Sequence, residues 1–269
     1  MSVSSLRSLL FVPGSRPDRF DKALAAGASS VIVDLEDAVA PADKDAARSA
    51  VRTWLAPERP VIVRVNGADT PWFADDLALA AHDGVSAILL PKAEQPHVAS
   101  VMRAGARAVL ALVETASAFA ALGMLASAPG VARLVFGSID LQADLGMRDA
   151  PEDDLLAFRS ALVLASRVAG IGAPIDGVTV QLDDEARLRE DVARARRLGF
   201  GGKLCIHPRQ VALVNRLFAP SADEQAWARR VVDAMAAAGG GAVQVDGRMV
   251  DRPVLLRAQA IVRESEPDA

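Results

Sequence analysis

Short β-branched runs alternate along the chain with longer, Ala-rich segments of helical spacing. The apolar runs predict strands over residues 8–12, 30–35, 61–65, 87–90, 108–113, 133–136, 177–180 and 203–206. Several are almost continuously apolar (VIVDL, VIVRV, AILL, VLALV, RLVF), as expected of strands covered on both faces. Between them the spacing predicts helices, among them 18–26, 44–55, 72–82 and 184–198. Gly27, Gly84, Gly105, Gly130, Gly170 and Gly199 each follow such a segment, where a helix end favours a residue that tolerates positive φ.

Eight strand–helix repeats over roughly 210 residues fit the α/β class as a (β/α)8 TIM barrel. The competing architecture is a doubly wound open sheet, often with a glycine-rich phosphate loop after its first strand. Here the first strand runs into VPGSRP, which is neither GxGxxG nor a P-loop. The barrel is assigned to residues 1–220. Residues 221–269 break the alternation: a helix over 222–238, the run Gly239-Gly240-Gly241, a strand–turn segment AVQVDGRMVD, and a helix over 253–264. This C-terminal helical extension is expected to pack at a subunit interface of a homo-oligomer, or on its own barrel.

Composition narrows the function classes. The 269 residues are 51% apolar and 24% charged, which suits one large globular α/β domain. A net charge of −4 argues against a nucleic-acid partner. The single cysteine, Cys205, excludes an intrachain disulfide and suits a reducing compartment. No apolar run approaches the roughly 18 residues of a membrane helix. The N-terminal MSVSSLRSLLFVPGSRP has too short an apolar stretch for a signal peptide. A cytoplasmic protein with no membrane partner is expected.

In a TIM barrel the reactive groups sit where strands meet the loops that follow them. The second predicted strand ends in Asp34-Leu35-Glu36-Asp37, the third in Arg64-Val65-Asn66-Gly67, the fourth in Pro91-Lys92, the fifth in Glu114-Thr115 and the sixth in Gly137-Ser138-Ile139-Asp140. Five successive strands thus deliver a charge to one rim, which predicts a polar site there. Glu114 and Asp140 are oxygen ligands of the kind Mg²⁺ takes, with a structural ion pair to Lys92 or Arg64 as the alternative for each carboxylate. Asp34 and Glu36 fall on one strand face, and one of this acidic group is expected to pair with Lys92 or to order metal-bound water. Lys92 follows Pro91 among acids that keep it protonated, so its expected role is electrostatic, not Schiff-base chemistry. Zinc is excluded by one Cys and three scattered His, of which His82 and His97 are expected on the surface and His207 near the rim. There is no GxSxG elbow, and Cys205 reads as an inert core residue. The amides of Ala143–Gly146 form either a carboxylate-binding nest or a plain loop.

The segments VPGSRPDRFDKAL, VDLEDAVAPADKDAAR, VRVNG, LPKAE, ALVETA, FGSIDLQADLG, IHPRQ and DGRMVDRPVLLRAQ together resemble the citrate lyase β-subunit-like (CitE-like) proteins. These belong to the HpcH/HpaI aldolase superfamily, with malyl-CoA and citramalyl-CoA lyases as relatives. The resemblance implies a Mg²⁺-binding TIM barrel that breaks or forms carbon–carbon bonds next to an acyl thioester. It implies that Glu114 and Asp140 are the metal ligands, Glu114 also facing substrate, and that Arg64 meets the oxygens of the oxo acid and of the developing enolate. Asp251 resembles an acid that some relatives insert into a neighbouring subunit's site; it is the candidate general base, with Glu36 or Asp37 behind it. Arg16 resembles the region that meets the acyl-CoA side, and Lys92 and Asp34 complete the expected substrate-binding set. Pyruvate-type aldolases carry a base histidine where this chain has Asp37, which disfavours that branch. The implied activity is cleavage or formation of a citryl-, malyl- or citramalyl-type thioester, yielding an acyl thioester and oxaloacetate, glyoxylate or pyruvate. Two alternatives stay open: a malyl-CoA-type thioesterase on the same site, and a citrate lyase complex subunit active only with an acyl-carrier-protein partner. Trimers occur among the resembling proteins, so a trimer is the expected oligomer.

Overall fold

The computed structural model describes residues 3–239 and 241–265. Eight parallel strands close into a barrel: β1 (Ser8–Pro13), β2 (Ser30–Asp34), β3 (Val61–Arg64), β4 (Val85–Leu90), β5 (Val109–Val113), β6 (Val131–Phe136), β7 (Ile175–Asp176) and β8 (Gly202–Cys205). Each neighbours the next in sequence, and β1 closes on β8 with Leu9 opposite Leu204. The (β/α)8 architecture expected from the alternation is therefore the one observed. Alternate residues of each strand point inward, so Leu9, Ile32, Ile62, Leu89, Leu110 and Val135 fill the barrel. Burying each such side chain stabilises the fold by about 1.5–3 kcal/mol. The residues between them face outward under the surrounding helices, which is why the strands read as unbroken apolar runs.

The connecting helices are α1 (Phe20–Leu24), α2 (Lys44–Trp54), α3 (Phe73–Asp76), α4 (Gln95–Arg103), α5 (Ala116–Ala120), α6 (Leu122–Ala126), α7 (Ser138–Asp144), α8 (Leu156–Ala169), α9 (Glu185–Leu198) and α10 (Pro208–Phe218). At the end of the barrel where strands begin, Arg133 is fully buried, with no carboxylate partner among the described residues. Its Nε donates to the Ala173 carbonyl at 2.6 Å and its Nη1 to that of Leu6 at 2.6 Å. Burial pulls this guanidinium down to about 9.

Three local expectations are corrected. The seventh strand is not 177–180 but Ile175–Asp176, because the carbonyl of Thr179 accepts from Gln210 Nε2 (2.8 Å) and its hydroxyl donates to Asp191 (2.7 Å). The 72–82 helix is only one α turn continued as a 3-10 turn over Leu77–Leu79. Asp76 is pulled inward there to accept from the backbone and side-chain nitrogens of Asn66. Gly84 does not take positive φ; it is needed for closeness, since a Cβ there would lie 2.7 Å from the Ala56 nitrogen.

The chain divides into two compact units, Met1–Asn215 and Arg216–Ala269. The second contains α11 (Ala222–Ala237), an antiparallel hairpin of β9 (Val243–Val245) and β10 (Arg248–Val250), and α12 (Arg252–Ser265). Ser221 starts α11 with a reciprocal cap: its Oγ accepts from the Glu224 nitrogen at 3.1 Å while Glu224 Oε2 accepts from the Ser221 nitrogen at 2.8 Å. Val231, Met235, Val245, Val250 and Ala258 form a separate apolar cluster. Of the predicted triple-glycine break, Gly240 lies outside the described residues. No helix among the described residues is long and apolar enough to cross a membrane.

Candidate active site

The inward alternation that fills the barrel changes chemistry at the strand ends. Two residues beyond Ile32 comes Asp34, two beyond Ile62 comes Arg64, and four beyond Leu110 comes Glu114. Asp34 and Arg64 are register partners across β2 and β3. Their side chains meet in a bidentate pair, Nε to Oδ1 at 2.7 Å and Nη2 to Oδ2 at 2.6 Å, both partners being buried. Asp34 also accepts from the backbone nitrogens of Glu36 (2.8 Å) and Ala38 (3.2 Å), which ties down the loop after β2. That loop returns two more acids to the same guanidinium: Glu36 Oε2 lies 2.9 Å and Asp37 Oδ2 3.3 Å from Nη1. Burial opposes the Arg64 charge, yet the hydrogen bonds and charge of Asp34, with Glu36 and Asp37, hold it above the usual arginine range. Glu36 is pushed up to about 7 by burial and by the charges of Asp37 and Asp34, against the pull of Arg64. For these carboxylates the sequence left Lys92, Arg64 or the ordering of metal-bound water open; the observed partner is Arg64, β2 and β3 being neighbours in the barrel.

Glu114 stands in a different state. It is buried, and Oε1 accepts from the Lys92 backbone nitrogen at 2.8 Å. Lys92 sits at φ 43°, a left-handed conformation costing a non-glycine residue roughly 1 kcal/mol. Its exposed ammonium makes none of the expected contacts with Glu114. Burial, with the charges of Glu36 and Asp140, pushes Glu114 up to about 8. Asp140, in the first turn of α7, is exposed. Neither Glu114 nor Asp140 is in an ion pair among the described residues. Gly137 lets β6 come close: a Cβ there would lie 2.6 Å from Glu114 Oε2 and closer still to its Cβ.

These groups share a cavity of about 420 Å³ at the mouth of the barrel. Asp34, Asp37, Arg64, Glu114 and Asp140 supply its polar lining, while Phe11, Leu112, Phe136 and Leu204 supply an apolar floor. No three His, Cys, Asp or Glu side chains converge on a metal position among the described residues. Two carboxylates without a cationic partner, one of them disfavoured as an anion by burial, nevertheless suit Mg²⁺. That ion is commonly held by one or two protein carboxylates and completes its shell with water and substrate oxygens.

A family model described as HpcH/HpaI aldolase/citrate lyase matches residues 7–208. The chain belongs to this family. It is 40% identical to the citrate lyase subunit beta-like protein of Mycobacterium tuberculosis, over 95% of this chain and 94% of that one. It is 36% identical to a (3S)-malyl-CoA thioesterase of Cereibacter sphaeroides, over 97% and 94% of the two chains. Among solved structures it is similar to protein CitE from M. tuberculosis in complex with magnesium, acetoacetate and coenzyme A, with a TM-score of 0.86 and 38% identity over 98% of this chain and 99% of that one.

The other residues singled out in the sequence of this HpcH/HpaI member have surroundings of their own. Arg16 lies on the β1–α1 loop, paired with Asp18 at 2.9 Å and half exposed. Asp251 belongs to the second unit and begins α12, its Oδ1 accepting from the Val254 nitrogen at 3.4 Å. The Ala143–Gly146 nest is corrected: those residues end α7, and the nitrogens of Leu145 and Gly146 are spent on the Leu141 and Ala143 carbonyls. His97, expected on the surface, is half-buried with its ring edge-on to Phe73. Cys205 is a buried free thiol, pushed up to about 12 by burial, so it is inert. Two residues were missed. Gly137 was readable as the glycine between an apolar run and a helix. Lys44 had been assigned only to a helix, although it closes the acidic motif DLEDAVAPADK.

Proposed function

We propose that this chain is a Mg²⁺-dependent carbon–carbon lyase that cleaves, or forms, a malyl-, citramalyl- or citryl-type thioester, giving an acyl thioester and a 2-oxo acid. The observation that supports this reading is that one cavity holds a rigidly bound guanidinium together with two carboxylates, Glu114 and Asp140, that make no ion pair among the described residues. Glu114 and Asp140 would hold the ion, which supplies Lewis acidity at the oxo-acid carbonyl and carboxylate.

The chain's own groups do the rest. A base takes the proton of the substrate's hydroxyl, whose oxygen becomes the carbonyl of the oxo acid as the carbon–carbon bond breaks. The electron pair of that bond moves into the thioester as an enolate, and the protonated base then returns the proton to the enolate carbon to give the acyl thioester. Arg64 cannot give up its proton, so it suits stabilising that negative charge and not moving protons. Losing such a preorganised donor costs about 3 kcal/mol, on the order of a hundredfold in turnover. Asp34 fixes the guanidinium plane, and the apolar floor excludes water that would otherwise protonate or screen the enolate. Asp251 is the proposed base. Glu36 and Asp37 are the fallback, and both touch Arg64. Arg16 and Lys92, on the rim loops, are proposed to face the anionic carrier of the thioester.

The similarity to a protein named (3S)-malyl-CoA thioesterase favours one second reading, in which water attacks the thioester in the same site. One assay separates the two. Malyl-CoA, citramalyl-CoA and citryl-CoA are each incubated with the protein and Mg²⁺, and 2-oxo acid and free thiol are measured together. Oxo acid in equal amount to consumed thioester, without free thiol, supports the lyase. Free thiol without oxo acid means a thioesterase, and neither product overturns both.

A further inference from the structure

Lys44, the first residue of α2, is buried, and no step above uses it. An ammonium has three N–H donors. All three are spent here: on the Leu35 carbonyl at 2.8 Å, the Glu36 carbonyl at 2.8 Å and Asn66 Oδ1 at 2.6 Å. The Trp72 ring lies over the charge, 5.1 Å from Nζ to the ring centre. Asn66 is itself fixed, its two nitrogens donating to Asp76 Oδ2 at 2.8 and 2.6 Å, while Asp76 Oδ1 accepts from Arg48 at 2.7 Å.

The consequence falls on the loop after β2. Its amides at Glu36 and Ala38 are bound by the Asp34 carboxylate, and its carbonyls at Leu35 and Glu36 by the Lys44 ammonium. The peptide that carries Glu36 and Asp37 is therefore pinned on both sides, and those two acids meet Arg64 Nη1. Without the ammonium, the buried Leu35 carbonyl, the half-buried Glu36 carbonyl and the Asn66 oxygen lose this donor, and the loop must turn to find water.

We infer that Lys44 is a positioning residue: by holding the Leu35 and Glu36 carbonyls it sets where Glu36 and Asp37 stand against Arg64 Nη1, and it steadies the loop amides that hold the Asp34 carboxylate, which in turn fixes the plane of the Arg64 guanidinium through Nε and Nη2. The inference rests on the reading of Arg64 as a substrate contact only for its effect on turnover; its effect on Arg64 itself is independent.

The test uses the full chain and the side-chain Nε–H signal of Arg64 in NMR, assigned by its loss in Arg64→Lys. In Lys44→Met, hydrogen exchange at that site is expected to quicken by roughly tenfold or more, as local opening predicts. Exchange at Arg133 Nε–H, bound to Ala173 at the other end of the barrel, is expected to keep its rate. Lys44→Arg, which keeps donors for the carbonyls, is expected to recover much of the protection. Lys44→Gln serves the same comparison should Lys44→Met not fold. Unchanged exchange at Arg64, or equal acceleration at Arg64 and Arg133, would overturn the inference, the second because it marks general loosening. In the lyase assay Lys44→Met is expected to lower kcat on the order of tenfold with Mg²⁺ affinity unchanged, since Glu114 follows β5 and Asp140 lies in α7, both outside the loop that Lys44 holds. An inactive unmodified protein that still shows the Arg64 exchange pattern would fail the lyase reading and leave this inference standing.

Discussion

Asp34 and Glu114 are both buried carboxylates at the ends of barrel strands, yet their surroundings differ. Asp34 has a bidentate arginine and two backbone amides, so its negative charge is fully matched. Glu114 has one backbone amide and acidic neighbours, so its proton is held up to about 8. A carboxyl raised above its ordinary 4.5 is protonated in the folded chain while the unfolded chain has already ionised. Folding stability of the metal-free protein therefore falls as pH rises between those values. Glu36 contributes in the same direction up to about 7, which leaves the interval from about 7 to about 8 to Glu114. Thermal melting without metal is expected to decline across that interval, and Glu114→Gln to flatten the decline; an equally steep slope in the variant would reject the assignment. The identities of these residues were legible in the sequence because each directly follows an apolar run. The sequence named Lys92 and Arg64 as possible partners but not which acid takes which, because pairing depends on register: Asp34 lies opposite Arg64, a fact fixed by the pairing of β2 with β3 and not by spacing along the chain.

At the scale of elements, the approach of β6 to β5 is as important as any side chain. Gly137 ends β6 where a methyl group would collide with Glu114, and α7 starts immediately after it with Asp140 in its first turn. Gly137→Ala is expected to cost about 1–3 kcal/mol by overpacking and to push Glu114 off its position. Mg²⁺ affinity should drop at least roughly tenfold while far-ultraviolet circular dichroism stays unchanged; unaltered affinity by calorimetry would remove Gly137 from the site. Strands buried on both faces were readable because nothing else produces such unbroken apolar runs. The seventh was misplaced because Val178–Val180 has the composition of a strand, but the Thr179 carbonyl and hydroxyl are bound by the side chains Gln210 and Asp191. Gly84 was read as a helix cap and proves to be a close-packing glycine against Ala56, a distinction that only tertiary contact makes.

For the molecule as a whole, alternation over eight repeats settled the barrel, since a regular strand–helix order leaves few other closed solutions. The smaller unit could be read as helix, hairpin and helix, and its capping box and apolar cluster follow from its own residues. The role proposed for Asp251 belongs to this scale. Asp251→Asn is expected to slow turnover with substrate affinity nearly intact. If the base acts between subunits, mixing that variant with Arg64→Ala should recover part of the lost activity in hybrid oligomers. Hybrids that form without recovery would assign the base to the same chain or to another residue.

The central claim is that Glu114 and Asp140 jointly hold a divalent cation. It is tested most directly by growing crystals with Mn²⁺ as a stand-in for Mg²⁺ and locating the ion by its anomalous scattering, in the native protein and in Glu114→Gln. The account predicts one strong peak bonded to a carboxylate oxygen of each residue, and loss of that peak in the variant. A peak elsewhere, or one that survives in Glu114→Gln, would contradict it.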